Sequence, residues 1–288
     1  MAQAGDALDR VIDEMGLRPL LVVGTSRAGK TVMVKNLVRR LRDRGVRQIM
    51  VFDPSLAWFT DAPLKYRRVC RVASDKDFRA AAIYNCVYDV SKIIGDDRGN
   101  AIKDVVEREY ESRVDRRRVS GDAPTSFPFN VTVLEEAQTL FRKFGMYGTR
   151  IYDWVSMGLN FNMSGVYTTQ RPAEVPTEII ERCNLLVGYV DGHRNMEKLR
   201  GATNPEFMAT VKTIKQGSHE FAYYDGGRGF KVKAKHAEYG EPKTVEDYRA
   251  PPVNIGDGDK PKTSGISGWW WVPVYLVLAG ILWVAFTH

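Results

Sequence analysis

The stretch GTSRAGKT, at residues 24–31, has the glycine, lysine and hydroxyl spacing of a phosphate-binding loop. The glycines let the backbone turn so that successive amide N–H groups converge, and a helix that begins at Lys30 and Thr31 directs its positive end to the same point. We predict that Lys30 contacts the β and γ phosphates of a nucleotide and that Thr31 binds Mg²⁺. The alternative is a glycine-rich turn with a surface lysine. The predicted nucleotide-binding residues are Gly24, Thr25, Ser26, Arg27, Ala28, Gly29, Lys30 and Thr31.

Two carboxylates, Glu135 and Glu136, directly follow the apolar run from Val131 to Leu134. In phosphate-loop enzymes the strand beside the loop ends in an acid that holds the magnesium ion or its water, and a second acid can orient and deprotonate the attacking water. We therefore assign Glu135 to Mg²⁺ and Glu136 to the catalytic base. The alternative is a pair of solvated acids near the positive end of a helix.

A third polar group ends the apolar stretch SGVYTTQ, where Thr168, Thr169 and Gln170 precede Arg171 and Pro172. An uncharged amide at a strand end beside the site can hydrogen-bond both the γ-phosphate and the attacking water. We assign this role to Gln170, together with Lys30 and Glu136 as catalytic residues. A simple strand end that stops at proline is the alternative.

The elements that must position these residues alternate between strands and helices. PLLVVGTS, from Pro19 to Ser26, is an apolar run that ends at glycine. Apolar residues at helical spacing follow it: Val34, Leu37, Val38 and Leu41. These features predict a strand, the loop and a helix in succession.

The same alternation continues along the chain. QIMVFDP, FNVTVLEE, SGVYTTQ and NLLVGYV are further strand candidates, and HEFAYYDGGRGFKVKAK has the pattern of a hairpin. A capping-box pattern at Ser74 and Asp77 predicts a helix start. Another helix is predicted by the apolar residues Ile102, Val106, Tyr110 and Val114. We predict an α/β fold with a mostly parallel sheet and helices on both faces.

The overall composition limits the kinds of partner and of cysteine site that this chain can have. Lys and Arg total 42 against 35 acids, a net charge of +7, which favours a polyanionic partner such as nucleic acid or anionic lipid. The three cysteines, Cys70, Cys86 and Cys183, form no CxxC pair, so neither a disulfide framework nor a zinc site is indicated. The acidic N-terminal residues do not resemble a secretory signal.

Composition also predicts four segments. Residues 1–18 are a short lead, 19–249 the phosphate-loop domain, 250–268 a linker rich in Pro, Gly and Ser, and 269–286 an uncharged apolar run. As a helix this run would span about 27 Å, close to the thickness of a bilayer, and tryptophans flank it. Lys260 and Lys262 before it place the catalytic domain on the cytoplasmic side. A buried C-terminal helix is the alternative.

Together, GTSRAGKT, VTVLEEAQTLF and YTTQRPAEVPTEIIERCNLLVGYV resemble the FtsK/HerA group of P-loop DNA-pumping ATPases. The resemblance covers roughly Pro19 to Lys235. It implies a RecA-like core that uses ATP and Mg²⁺ and acts as a homo-oligomeric ring, usually hexameric, around double-stranded DNA. The matched residues with inherited roles are Lys30, Thr31, Glu135, Glu136 and Gln170.

The short lead before the first strand favours one branch of this group, the genome-packaging ATPases of tailless icosahedral viruses that carry an internal membrane. One departure concerns the arginine finger, because Leu159 stands where many relatives have arginine. Arg142, Arg150 and Arg171 are the remaining candidates. The basic runs RRLRDRG, at residues 39–45, and RVDRRR, at residues 113–118, could contact DNA or simply form the solvated faces of helices.

These observations give a hypothesis in which a membrane tail fixes a DNA-packaging ring at a portal vertex, in the virion or at the host inner membrane. Portal or capsid vertex proteins would then be partners. Two alternatives remain open. One is a filamentous-phage assembly ATPase of the zonula-occludens-toxin type, and the other is a membrane-anchored scaffold that binds ATP with little turnover.

Overall fold

The computed structural model of the chain describes residues 7–15, 18–46, 48–58, 68–71, 86–91, 93–120, 129–227 and 229–234. The strands within these ranges are β1 (Leu20–Val23), β2 (Gln48–Asp53), β3 (Arg68–Arg71), β4 (Cys86–Asp89), β5 (Asn130–Leu134), β6 (Met163–Thr169), β7 (Asn184–Val187), β8 (Glu220–Tyr224) and β9 (Gly229–Lys233). The helices are α1 (Ala7–Met15), α2 (Lys30–Asp43), α3 (Gly95–Ser120), α4 (Gln138–Phe144), α5 (Arg150–Met157), α6 (Thr177–Arg182), α7 (His193–Ala202) and α8 (Pro205–Lys212).

All of these strands belong to one sheet, in the order β3-β4-β2-β5-β6-β1-β7-β8-β9. The strands from β3 to β7 in that order pair in parallel, whereas β8 is antiparallel to β7 and β9 to β8. The mostly parallel sheet and the hairpin expected from the sequence are therefore confirmed.

Apolar side chains project from both faces of the sheet, because successive residues of a strand point in opposite directions. Leu20 and Val22 of β1 pack with α1 and α2, while Leu21 and Val23 pack in the core that α3 to α8 cover. The predicted helical stripe on α2 is fully buried, and so is most of the stripe on α3. Helices thus flank the sheet on both sides, as expected.

Two features of the sheet differ from the sequence analysis. The strand beside β1 on the acidic side is β6, and β5 with its carboxylates lies one strand further away. The expectation that the acidic strand neighbours the phosphate-loop strand was therefore wrong. Strand β3 was not predicted, because RVCR is short and has an arginine at each end. Strand β4 ends the stretch SDKDFRAAAIYNCVYDV, whose capping-box pattern favoured a helix, so for Cys86–Asp89 that expectation was wrong: these residues pair in parallel with β2.

Several expectations fall on other parts of the chain. The helix predicted to start at Ser74, the linker at residues 250–268 and the apolar run at residues 269–286 lie outside the described residues. Within the described ranges, none of the helices combines the length and the apolar character needed to cross a bilayer.

The centre of the sheet contains a close contact that gives a first prediction. A Cβ atom on Gly165 would overlap the buried ring of Tyr167, which stacks edge-on against Phe141 and Trp154 with ring centroids 4.9 and 5.4 Å away. Gly165→Ala is expected to lower the free energy of unfolding by about 1–3 kcal/mol because the ring must move within a packed core. Urea denaturation measures this change.

The matched control for Gly165→Ala is Gly201→Ala in α7, where an added Cβ meets no atom within 4 Å. Alanine favours a helix over glycine, so this variant should keep or slightly raise the free energy of unfolding. Equal free energies of unfolding for the two variants would show that the position of the Tyr167 ring does not require glycine at residue 165.

Candidate active site

The side chains predicted to act in catalysis and metal binding line one cleft of about 330 Å³. They converge because parallel strands present their carboxyl ends at the same edge of a sheet, where ligands of open α/β sheets bind. The residues that line the cleft are Ser26, Arg27, Gly29, Lys30, Thr31, Val32, Pro54, Ser55, Glu135, Glu136, Thr168, Thr169, Gln170 and His219.

The phosphate loop is anchored between the ends of two strands. The Gly24 amide donates to the Thr169 carbonyl at 3.2 Å, and the Thr25 amide donates to the Tyr189 carbonyl at 2.9 Å. Gly29 has a φ of 92°, a left-handed conformation that suits glycine, and α2 begins immediately after it. These two hydrogen bonds and the left-handed Gly29 define the turn that leads from β1 into α2.

Lys30 is buried and folds back on its own loop. Its Nζ donates to the carbonyl oxygens of Gly24 and Thr25, both at 2.8 Å. Burial lowers the pKa of Lys30 to about 8, although the carboxylates of Glu135 and Glu136 act in the opposite direction. A phosphate anion in the cleft would give this ammonium a stronger partner than two neutral carbonyls.

Glu135 is buried at the end of β5 and both of its oxygens are bonded. Oε2 accepts a hydrogen bond from Thr168 Oγ1 at 2.7 Å, and Oε1 accepts one from Trp58 Nε1 at 3.2 Å. Burial raises the pKa of Glu135, the two hydrogen bonds oppose this rise, and the nearby Asp53 adds to it. The carboxylate is thus held in a fixed orientation at the cleft.

Glu136 occupies a backbone conformation that non-glycine residues rarely adopt, with a φ of 54°. Its amide donates to Thr168 Oγ1 at 3.3 Å, and the next amide, of Ala137, donates to the Thr168 carbonyl at 2.8 Å. The side chain borders the cleft, and its Oε2 lies 3.6 Å from an Arg98 guanidinium nitrogen. Thr168 therefore holds both the Glu135 carboxylate and the backbone of Glu136, since its hydroxyl also donates to Glu135.

Gln170 follows β6 and lies between the main cleft and an adjoining cleft of about 340 Å³. Two arginine-finger candidates border the second cleft within this chain, each paired with an acid: Arg142 with Asp96 at 3.8 Å and Arg171 with Glu174 at 3.0 Å. The third candidate, Arg150, pairs with Glu111 at 3.4 Å.

Several arginines of the two basic runs form hydrogen bonds or ion pairs within the chain. Arg113 is buried, and its guanidinium donates to Glu109, to Gln48 Oε1 and to the Phe161 carbonyl. Arg40 and Arg44 pair with Asp9 of α1 at 2.8 and 3.1 Å. Arg113 thus joins α3 to β2, and the structure favours a structural role for these arginines over contact with DNA.

Three residues at the site were not predicted from the sequence. Trp58 follows β2, Arg98 lies in the first turn of α3, and His219 directly precedes β8. Each comes from a different part of the chain, so no local spacing connects them with the phosphate loop. The linking role of Thr168 was equally hidden, because it depends on the neighbouring position of β5 and β6.

The residues present fit a magnesium nucleotide. Thr31 and Glu135 offer oxygen ligands in the same cleft, and Mg²⁺ at phosphate groups usually takes one or two protein oxygens and completes its shell with phosphate and water. The described residues contain no group of three or more acids, histidines or cysteines that could hold a metal by themselves. The loop also leaves no spare room at Gly24, where an added Cβ would lie 3.0 Å from Ala28 Cβ.

Comparison with known proteins gives similarity at the level of the fold. No protein-family model matches the chain, and no curated protein matches it in sequence. Among solved structures, the genome packaging NTPase B204 from Sulfolobus turreted icosahedral virus 2, in complex with AMPPCP, is 14% identical with a TM-score of 0.54, and the match covers 76% of this chain and 98% of B204.

Two further structures resemble the chain. The pCW3 conjugation coupling protein TcpA is 15% identical with a TM-score of 0.51, over 76% of this chain and 60% of TcpA. VirB4 of Thermoanaerobacter pseudethanolicus is 13% identical with a TM-score of 0.50, over 76% of this chain and 90% of VirB4. The resemblance to packaging ATPases of tailless icosahedral viruses is thereby confirmed for the fold.

Proposed function

We propose that this chain is an ATP-driven motor that moves double-stranded DNA and packages a viral genome into a membrane-containing capsid. The observation that carries the proposal is the convergence of Lys30, Thr31, Glu135, Glu136 and Gln170 in one cleft at the carboxyl edge of the sheet. The likeness of the fold to the genome packaging NTPase B204 supports the same assignment.

Each side chain has a distinct task in this proposal. Lys30 exchanges the carbonyls of its own loop for phosphate oxygens, and Thr31 and Glu135 hold Mg²⁺, which supplies charge neutralisation at the phosphates. Glu136 accepts a proton from the attacking water. Gln170 orients that water. Because Gln170 also borders the second cleft, it can transmit the change from bound ATP to bound ADP to a partner that binds in the second cleft.

A ring places a second copy of the chain beside this site. We assign the second cleft to that contact, since Glu136 and Gln170 border both clefts. The apolar run at residues 269–286 would anchor the ring to a membrane at a portal vertex, with the catalytic domain on the cytoplasmic side. Capsid vertex proteins are the partners expected there.

ATP hydrolysis by the full-length chain, measured as phosphate release with and without DNA, tests the proposal. Duplex DNA is expected to stimulate turnover several-fold, and rising salt should weaken the stimulation because contacts to DNA phosphates are salt-dependent. Glu136→Gln should remove both the basal and the stimulated turnover.

The other outcomes distinguish the alternatives. Stimulation by single strands in preference to duplex would favour a filamentous-phage assembly ATPase. Nucleotide binding without turnover under any of these conditions would contradict a motor and favour a scaffold.

A further inference from the structure

One residue at the cleft comes from the far side of the phosphate loop. Strand β8 is antiparallel to β7, with Val187 opposite Ala222, so β8 begins at the edge where the parallel strands end. His219 directly precedes β8 and therefore lies at the same edge as the phosphate loop. No sequence spacing connects the two, since almost two hundred residues separate them.

The imidazole of His219 packs directly on the last glycine of the loop. A Cβ atom on Gly29 would lie 2.9 Å from His219 Nδ1, and His219 lines the cleft together with Lys30, Thr31 and Val32. These three residues form the first turn of α2, where the free amide N–H groups of a helix start bind phosphates. The ring thus borders the place where an anion would sit.

The backbone holds this position at an energetic cost. His219 has a φ of 52°, in the left-handed region, and its carbonyl accepts a hydrogen bond from the Ala234 amide at 2.9 Å, which ties it to the end of the hairpin. Strained residues that the surrounding structure fixes in place are concentrated at functional sites. Strain and proximity to the loop are two separate observations on the same side chain.

We propose that His219 is a nucleotide-contacting residue whose imidazole N–H donates to the phosphate groups of a nucleotide held in the loop. The inference rests on the proposed nucleotide site and adds to it a contact from outside the phosphate-loop motif. His219 would contact the phosphates from the β7–β8 side of the loop, opposite the carboxylates that follow β5.

The test is calorimetric titration of the full-length chain with ADP and with inorganic tripolyphosphate, both with Mg²⁺. His219→Ala is expected to weaken both ligands about tenfold or more, the usual size of a hydrogen bond to a charged group. His219→Asn should retain most of the affinity, because asparagine offers an N–H donor and tolerates the left-handed conformation. His219→Phe keeps a ring without the donor and should behave like the alanine variant.

His193→Ala is the matched control, since His193 begins α7 and its side chain is 81% exposed. It should leave both affinities unchanged, and thermal unfolding of every variant without ligand checks that the fold persists. If His219→Phe restores binding of ADP but not of tripolyphosphate, the ring stacks on the base and the phosphate contact is refuted.

Two failures are distinguishable. Wild-type binding with unchanged affinity in all His219 variants would overturn this inference and leave the proposed function intact. A wild-type chain that binds neither ligand would overturn the proposed function as well.

Discussion

Glu136→Gln is expected to lower ATP turnover by about 10²–10⁴-fold while nucleotide affinity stays the same, because general acid–base catalysis contributes an effect of this size. Glutamine has nearly the same shape as glutamate but cannot accept the proton of the attacking water. The fold around it should persist, since the contacts that hold the turn use the backbone amides of Glu136 and Ala137 and the side chain of Thr168. Steady-state phosphate release and ADP titration measure the two quantities separately.

The matched control is Glu206→Gln. Glu206 is an exposed acid in the first turn of α8 and borders neither cleft. Its replacement should change basal turnover only slightly. If Glu136→Gln retains wild-type turnover, another group takes the proton and the assignment of Glu136 as the base fails.

The parts of the site that the sequence revealed are those contained in a single short segment. The loop at residues 24–31 carries its own turn chemistry, and the carboxylates and Gln170 follow directly on apolar strands. Because parallel strands end at one edge, three separate strand ends were enough to predict one cleft. The left-handed conformation of Glu136 was not predictable, since no glycine marks it and the Thr168 hydroxyl that accepts its amide lies on another strand.

Strand order was harder to predict than strand position. The buried strands are all short apolar runs, so their composition does not show which one lies beside which. The insertion of β6 between β1 and β5 has a functional consequence, because it places Thr168 within hydrogen-bonding distance of Glu135 and of the Glu136 amide. Without β6 beside β5, the Glu135 carboxylate would lack the Thr168 hydroxyl as a donor and the Glu136 amide would lack it as an acceptor.

Charge runs show the same dependence on distant contacts. Arg113 is part of a basic run that suggests a solvated or DNA-facing helix, yet its side chain is buried against Gln48 and the Phe161 carbonyl. Neither partner is near it in the sequence. A run of arginines therefore predicts an amphipathic helix but not which of its charges reach solvent.

Nucleotide affinity is expected to fall as the pH rises above about 8, because that is the pKa to which burial lowers Lys30 in the empty site. Bound phosphate favours the ammonium form and raises the pKa again, so above pH 8 the binding of nucleotide must take up a proton. Affinity then falls by up to about tenfold per pH unit. ADP titrations between pH 7 and about pH 9.5 measure this slope.

Lys30→Met should weaken ADP binding by roughly 100-fold at pH 7, through loss of a charge-assisted contact, and should abolish the slope above pH 8. Lys212→Met, which removes an exposed lysine of α8, is the matched control and should keep both the affinity and the slope. A wild-type affinity that stays constant up to pH 9.5 would mean that Lys30 keeps its ordinary pKa of 10.5.

The sign of the change in unfolding free energy distinguishes the loss of ADP affinity through Lys30 from a loss caused by alkaline unfolding. Between pH 8 and 10.5 the unfolded chain still holds the Lys30 proton whereas the empty folded site releases it, so this group makes the fold more stable as the pH rises. Relative to Lys30→Met, the wild-type chain should therefore gain unfolding free energy over the same range in which it loses affinity for ADP. Opposite trends in the two measurements would assign the loss of binding to the Lys30 ammonium, whereas parallel declines would assign it to loss of structure.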